Sequence, residues 1–418
     1  MGSTAKQLEL IRPDSASRRV PIAPFQHAPL RVAGLFAGIG GVELGLSKAG
    51  HTAALFSEID DHATMVLRHH FPHTPIVPDV RDVDKLPPVD VLAAGFPCQD
   101  LSQAGKTAGI SGQKSGLVAE VFRLLSEHDP QWLILENVPF MLSLDGGRGM
   151  LYLTTRLERL GFGWAYRVVD TRSFGLPQRR QRVILLASRS QDPRNVLYAD
   201  EAAEPDRQSR VSAYGFYWTE GNRGLGWAVD AVPTLKAGST VGIPSPPAVW
   251  VLETGEIGTP DIRDAERLQG FPAAWTAIAA NGRGLRSGPR WRLVGNAVSV
   301  RLTEWLGRRL RSPGCYDPTN DAVSKTNEPW PRAAWSMGGA IRQAHVSEWP
   351  LATELPRLMD FLEYPLKPLS ARATAGFYKR ASNSTLRFAD GFLPAVQQHL
   401  RRMQSISFTT NPVVHSGR

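Results

Sequence analysis

Residues 31–50 read RVAGLFAGIGGVELGLSKAG, and the fold turns on them. A strand's length of mostly apolar residues runs into Phe36, Gly38, Gly40 and Gly41, then apolar residues recur at helical spacing until Gly50 ends the pattern. Glycines at a strand-to-helix turn let a ligand approach the backbone, and the helix N-terminus offers it free N–H groups. Glu58 stands 18 residues after Gly40, at the end of the next apolar run, AALFSEID. A carboxylate there accepts hydrogen bonds from both hydroxyls of a ribose. A nucleoside cofactor explains this pairing better than a tight turn beside a solvated acid.

The alternation continues outward. VDVLAAGFP, QWLILENV and RVILLAS are apolar runs of about one strand each, and SGLVAEVFRLLSEH and MLYLTTRLERLGF carry three- and four-residue apolar spacing. This succession predicts an α/β fold, a doubly wound, mostly parallel sheet with its strands buried on both faces. The carboxyl ends of such strands share one edge, so Glu58, Cys98 and Glu136 are expected to converge on one crevice. Cys98 follows Pro97 at a strand end and opens a loop with Gly105, Gly109, Gly112 and Gly116. That setting suits a nucleophile that is exposed and then covered more than an inert buried thiol. In GLPQRRQRVILLA, Gln178, Arg180 and Arg182 alternate and are expected to face one side.

The rest of the chain narrows the class. Its 418 residues suggest two or three domains, and two cysteines, Cys98 and Cys315, exclude a disulfide scaffold and a cysteine-rich zinc finger. A reducing cytoplasm is expected, with no membrane, because no uncharged run approaches the 18–20 or so residues of a span. The net charge is +9, but unevenly spread. Residues 188–262 hold 6 basic and 10 acidic side chains, residues 263–310 hold 9 and 3, and residues 311–418 hold 13 and 8. The expected organisation is a flexible arm (1–29), a catalytic cofactor-binding domain (30–187), a small recognition region (188–262), a second part of the core (263–310) and a basic C-terminal extension (311–418). Within that extension Arg380 and Arg387 stand among hydroxyl and aromatic residues, which favours phosphate contacts over a purely structural appendage.

FAGIGG, GFPCQ, ENV, QRRQR, RLQGFP and GNAV, in this order and spacing, resemble the DNA (cytosine-5)-methyltransferase family of bacterial restriction–modification systems. The resemblance covers about residues 30–310. It implies S-adenosylmethionine as cofactor, no metal, and a cytosine flipped out of duplex DNA as substrate. It assigns Phe36, Gly38, Ile39, Gly40 and Gly41 to the cofactor, Glu58 to its ribose, and Ile59 and Asp79 to its adenine. Val80, Pro97, Asn296 and Ala297 complete that site. Cys98 becomes the thiolate that adds to carbon 6, Glu136 the group that holds ring N3, Arg182 the donor to O2, and Arg180 the residue that orients the neighbouring loop. Gln99, Ser102 and Lys106 are expected to contact DNA. A monomer working alongside a restriction endonuclease is the expected context. A tRNA methyltransferase of the same chemistry, and an inactive DNA-binding module of the same fold, are the competing readings.

Overall fold

The apolar residues 31–35 form β1 (Arg31–Leu35), and the glycine turn delivers the chain into α1 (Gly41–Lys48). The succession repeats through β2 (Thr52–Ser57), α2 (Asp61–His70), the short β3 (Ile76–Val77), β4 (Val91–Ala94), α3 (Val118–Glu127), β5 (Trp132–Asn137) and α4 (Arg148–Arg159). This computed structural model describes residues 26–96, 116–204, 211–221, 224–238, 246–280, 288–325 and 328–410. The five strands lie parallel in the order β3-β2-β1-β4-β5. The central strands β1, β4 and β5 are buried on both faces almost throughout, whereas the edge strand β3 is half-buried. On one face α3 and α4 contribute Val121, Phe122, Leu153 and Leu157; on the other α1 and the later helix Val300–Arg311 contribute Leu46, Leu302, Trp305 and Leu306.

Beyond β5 the sheet changes character. β6 (Gly163–Asp170) is followed by the short β7 (Gln178–Arg179) and by β8 (Gln181–Ser188), which inserts between β5 and β6 and runs antiparallel to both. RVILLAS therefore departs from the parallel orientation expected of it. Only residues 171–180 join β6 to β8, and a link that short cannot hold a crossover helix, so the two strands pair antiparallel.

A second sheet starts with β9 (Ala213–Phe216), β10 (Ala228–Val229), β12 (Ala248–Val251) and β13 (Ile257–Thr259), while β11 (Val232–Pro233) pairs with β7. The chain then returns to the main sheet through α5 (Ile262–Leu268), α6 (Gly288–Asn296) and α7 (Val300–Arg311).

Residues after Arg311 are shared between the two sheets. β14 (Ala322–Val323), β15 (Ala333–Ser336) and β16 (Arg342–Gln343) extend the main sheet, β15 pairing antiparallel with β6 so that Trp335 faces Ala165. β17 (Lys367–Pro368) joins the edge of β13, and α8 (Ala371–Ser382) and α9 (Phe392–Thr410) cover the second sheet. Phe377 and Phe392 are fully buried against Phe216 and Trp250. Each such side chain contributes about 2–3 kcal/mol of burial. Among the described residues no helix is long and apolar enough to cross a membrane.

Candidate active site

The turn between β1 and α1 is held in an unusual backbone conformation. Phe36 has φ 55°, Gly38 φ 56° and Gly40 φ 80°, and a non-glycine residue such as Phe36 adopts that region only under constraint. Glu58 holds the turn at Gly38. Its Oε2 accepts the Gly38 N–H at 2.7 Å and its Oε1 accepts the Asp60 N–H at 2.8 Å. Burial raises the Glu58 pKa above the ordinary carboxylate value, the backbone N–H groups of Asp60, Gly38 and Ile59 oppose this, and the charge of Asp60 adds to it. Above the turn the space is open, since a Cβ on Gly38 would meet nothing within 4 Å. Ile59 is 68% exposed, an apolar face beside the acid.

Asp79 and Val80 lie at the neighbouring strand end. Val80 is buried, whereas the Asp79 carboxylate caps the Arg81 N–H and pairs with the Arg81 guanidinium at 2.6 Å. Those bonds hold its pKa below the ordinary value.

At the end of β5, Glu136 lies 2.7 Å from Arg182 Nε, with both side chains close to fully buried. β5 and β8 are neighbours in register, Asn137 facing Val183, which brings the motif acid and the motif arginine together. Asn137 Nδ2 donates to Phe96 O at 2.9 Å, fixing the end of β4 where the chain leaves for Cys98. Glu136 is also close to this point: a Cβ on Gly95 would stand 3.5 Å from its Oε2. Pro97, Cys98, Gln99, Ser102 and Lys106 lie outside the described residues.

Arg180 is fully buried between three segments. It donates to Leu235 O at 3.1 Å, to Ala297 O at 2.6 Å and to Gly295 O at 3.4 Å. Burial and the adjacent Arg182 push its pKa well below the ordinary arginine value. Gln178 repeats the device, donating to Leu268 O and accepting the Leu235 N–H. The two side chains thus bind the β7–β8 junction to the segment after β11, to α5 and to GNAV, whose Asn296 is exposed and Ala297 buried.

The profile of the C-5 cytosine-specific DNA methylase family matches residues 30–219. The chain is 49% identical over 383 residues to the Type II methyltransferase M2.BsuMI of Bacillus subtilis (strain 168), an alignment covering 88% of this chain and 98% of that protein. The chain belongs to the C-5 cytosine-specific DNA methylase family. It is a DNA cytosine-5 methyltransferase. A more distant relative, the Type II methyltransferase M.DsaV of Dactylococcopsis salina, is 26% identical over 316 residues, 68% of this chain and 86% of that one. The S. pombe Dnmt2 methyltransferase structure shares the fold, with a TM-score of 0.51 at 16% identity over 67% of this chain and 98% of its own.

Two features of this methyltransferase escaped sequence reasoning. Trp275 Nε1 donates to Ile39 O at 3.0 Å, and Arg292 Nη2 pairs with Asp60 at 2.6 Å, so residues 263–300 grip both sides of the glycine turn. The only hint was that these residues follow RLQGFP closely. In the tail, Arg380 is half-buried and donates to Trp218 O and Glu220 O, whereas Arg387 is exposed. The tail tryptophans pack inward: Trp330 donates to Gly147 O and Trp335 to Asp321.

Proposed function

We propose that this methyltransferase methylates carbon 5 of a cytosine turned out of duplex DNA, by way of a covalent bond between Cys98 and carbon 6. The observation that carries the proposal is the Glu136–Arg182 pair beside Asn137, whose hold on Phe96 O fixes the strand end two residues before Cys98. S-adenosylmethionine supplies the methyl group when bound. The open space over Gly38, the doubly held Glu58 carboxylate and the exposed Ile59 suit a ribose and an adenine.

Carbon 5 of cytosine is a poor nucleophile, so a thiolate must first add to carbon 6 and give carbon 5 carbanion character. Cys98 supplies that thiolate. Glu136 holds a proton at ring N3 and so offsets the negative charge that the addition delivers to the base. Arg182 holds its charge beside the Glu136 carboxyl and donates to the base O2. Arg180 acts on the loop architecture, because its guanidinium is committed to Leu235, Gly295 and Ala297. After methylation a base removes the carbon-5 proton, the carbon 5–carbon 6 double bond re-forms, and Cys98 leaves as thiolate.

The second sheet, completed by β17 and covered by α8 and α9, is the region that reads the target, and the basic exposed side chains of the tail bind phosphates beside it. A restriction endonuclease with the same target is the functional counterpart. Bisulfite sequencing of DNA from cells expressing the protein tests the activity and its sequence context. Protected cytosines within one recurrent sequence are expected; unprotected DNA from well-expressing cells would overturn it.

A further inference from the structure

We infer that Trp275 and His70 are positioning residues for the cofactor turn, setting S-adenosylmethionine affinity through the carbonyl of Ile39 without touching the cofactor. The inference rests on the proposal that S-adenosylmethionine binds over Gly38 and Glu58. Ile39 lies between Gly38 and Gly40, and its carbonyl precedes α1. The first carbonyl to accept a bond in that helix is Gly40 O, from Leu44 N–H. The Ile39 carbonyl is therefore left to the Trp275 indole N–H, 236 residues away in sequence. A buried carbonyl deprived of its donor costs about 1–3 kcal/mol or forces the backbone to turn towards another partner. Any such turn moves Gly38 N–H, which is bound to Glu58.

His70 in turn fixes Trp275. The two rings stack at 3.4 Å between centroids with 3° between planes, and His70 Nε2 lies 2.8 Å from Trp275 O, where only an N–H satisfies the carbonyl. Phe71 and Phe271 close the remaining sides of the indole. Trp275 is 7% exposed. The glycine turn is thus pinned from the cofactor side by Glu58 and from behind by Trp275. Trp275 also sits on the segment that ends at Ala297, where Arg180 holds the backbone.

Calorimetric titration with S-adenosylmethionine and with S-adenosylhomocysteine separates this role from general packing. Four proteins are compared: wild type, Trp275→Phe, His70→Phe and Glu58→Ala. Trp275→Phe keeps an aromatic ring and removes the N–H, and is expected to weaken cofactor binding five- to tenfold. His70→Phe keeps the stack and removes the bond to Trp275 O, for an expected two- to fourfold loss. Affinity for sheared duplex DNA without cofactor is expected to stay within twofold in both, which a loosened core would not allow. Trp275→Phe with cofactor affinity within twofold of wild type overturns the inference, whatever its melting temperature. Should Trp275→Phe fail to fold, His70→Phe with unchanged affinity overturns it instead. Wild type that binds neither ligand, or Glu58→Ala that binds as wild type does, sinks the assignment of the cofactor site and this inference with it.

Discussion

Arg182 Nε stands 2.7 Å from Glu136 Oε1, and that distance joins two motifs 46 residues apart in sequence on the adjacent antiparallel strands β5 and β8. Removing one member of a buried ion pair leaves an uncompensated charge, so pairs of this kind are costly to break and poor candidates for stability alone. What the pair supplies is orientation. Arg182 also donates to Gln181 O, which limits its own rotation and so holds its positive charge beside the Glu136 carboxylate.

Glu136→Gln is expected to lower the single-turnover methylation rate about 10²–10⁴-fold, the range for loss of a general acid–base group. Cofactor affinity should stay within twofold, because in the proposed mechanism the carboxyl acts on the base. Arg182→Lys should not preserve the rate, since an ammonium lacks the planar fork. A Glu136→Gln rate within threefold of wild type would remove this residue from the chemistry.

Cys98 is tested by covalent capture. Duplex DNA carrying 5-fluorocytosine at the target cannot lose its carbon-5 substituent, so wild type should form an adduct that survives denaturing electrophoresis. Cys98→Ser should form none, yet bind S-adenosylmethionine within a few fold. Equal adduct yields from the two proteins would refute the assignment.

Glu43 on α1 carries a pH prediction. It is fully buried over Gly34, where a Cβ would stand within bonding distance of its carboxyl, and burial raises its pKa to about 7. The folded state therefore binds its proton more tightly than the unfolded chain. Between the ordinary glutamate value and about pH 7 stability falls as pH rises, by about 3 kcal/mol in all. Glu43→Gln, neutral at every pH, should raise the melting temperature relative to wild type at pH 8 and make little difference at pH 5. Equal effects at both pH values would show that Glu43 ionises normally.

The parallel half of the fold was legible because its strands are uninterrupted apolar runs, and at the described strand ends Glu58 meets the glycine turn and Glu136 meets Arg182. β6 was not. Arg167 breaks its apolar run, yet is completely buried, because its guanidinium donates to Ser347 O, Leu197 O and Asp200 O and pairs with Glu201. Those partners come from segments no local pattern connects. The same holds for Trp275 and Ile39, and for tail strands two residues long, whose place depends on an available sheet edge. The fate of Asp79 was invisible for another reason: a motif names the residue but not the neighbouring Arg81 that occupies its carboxylate.

The tail carries two kinds of basic residue, and the structure separates them. Arg380 serves carbonyls of Trp218 and Glu220, while Arg372 and Lys379, seven residues apart on α8, are exposed opposite the buried Thr374, Phe377 and Ala381. Deleting everything from Ser312 onward would strip β15 from β6, β17 from β13 and the cover from Phe216 and Trp250. An aggregating or poorly folded product is expected, so truncation reads stability and not DNA binding. Arg380→Ala should lower the melting temperature by a few degrees and leave the slope of log affinity against log salt unchanged. Replacing Arg372, Lys379 and Arg387 together by Ala should leave the melting temperature alone and flatten that slope by about 0.9 for each phosphate no longer neutralised. If the slope of the triple variant matches wild type, the phosphates are held elsewhere. Residues 263–310, the most basic stretch for their length, would then be where to look, and the tail would be a brace alone.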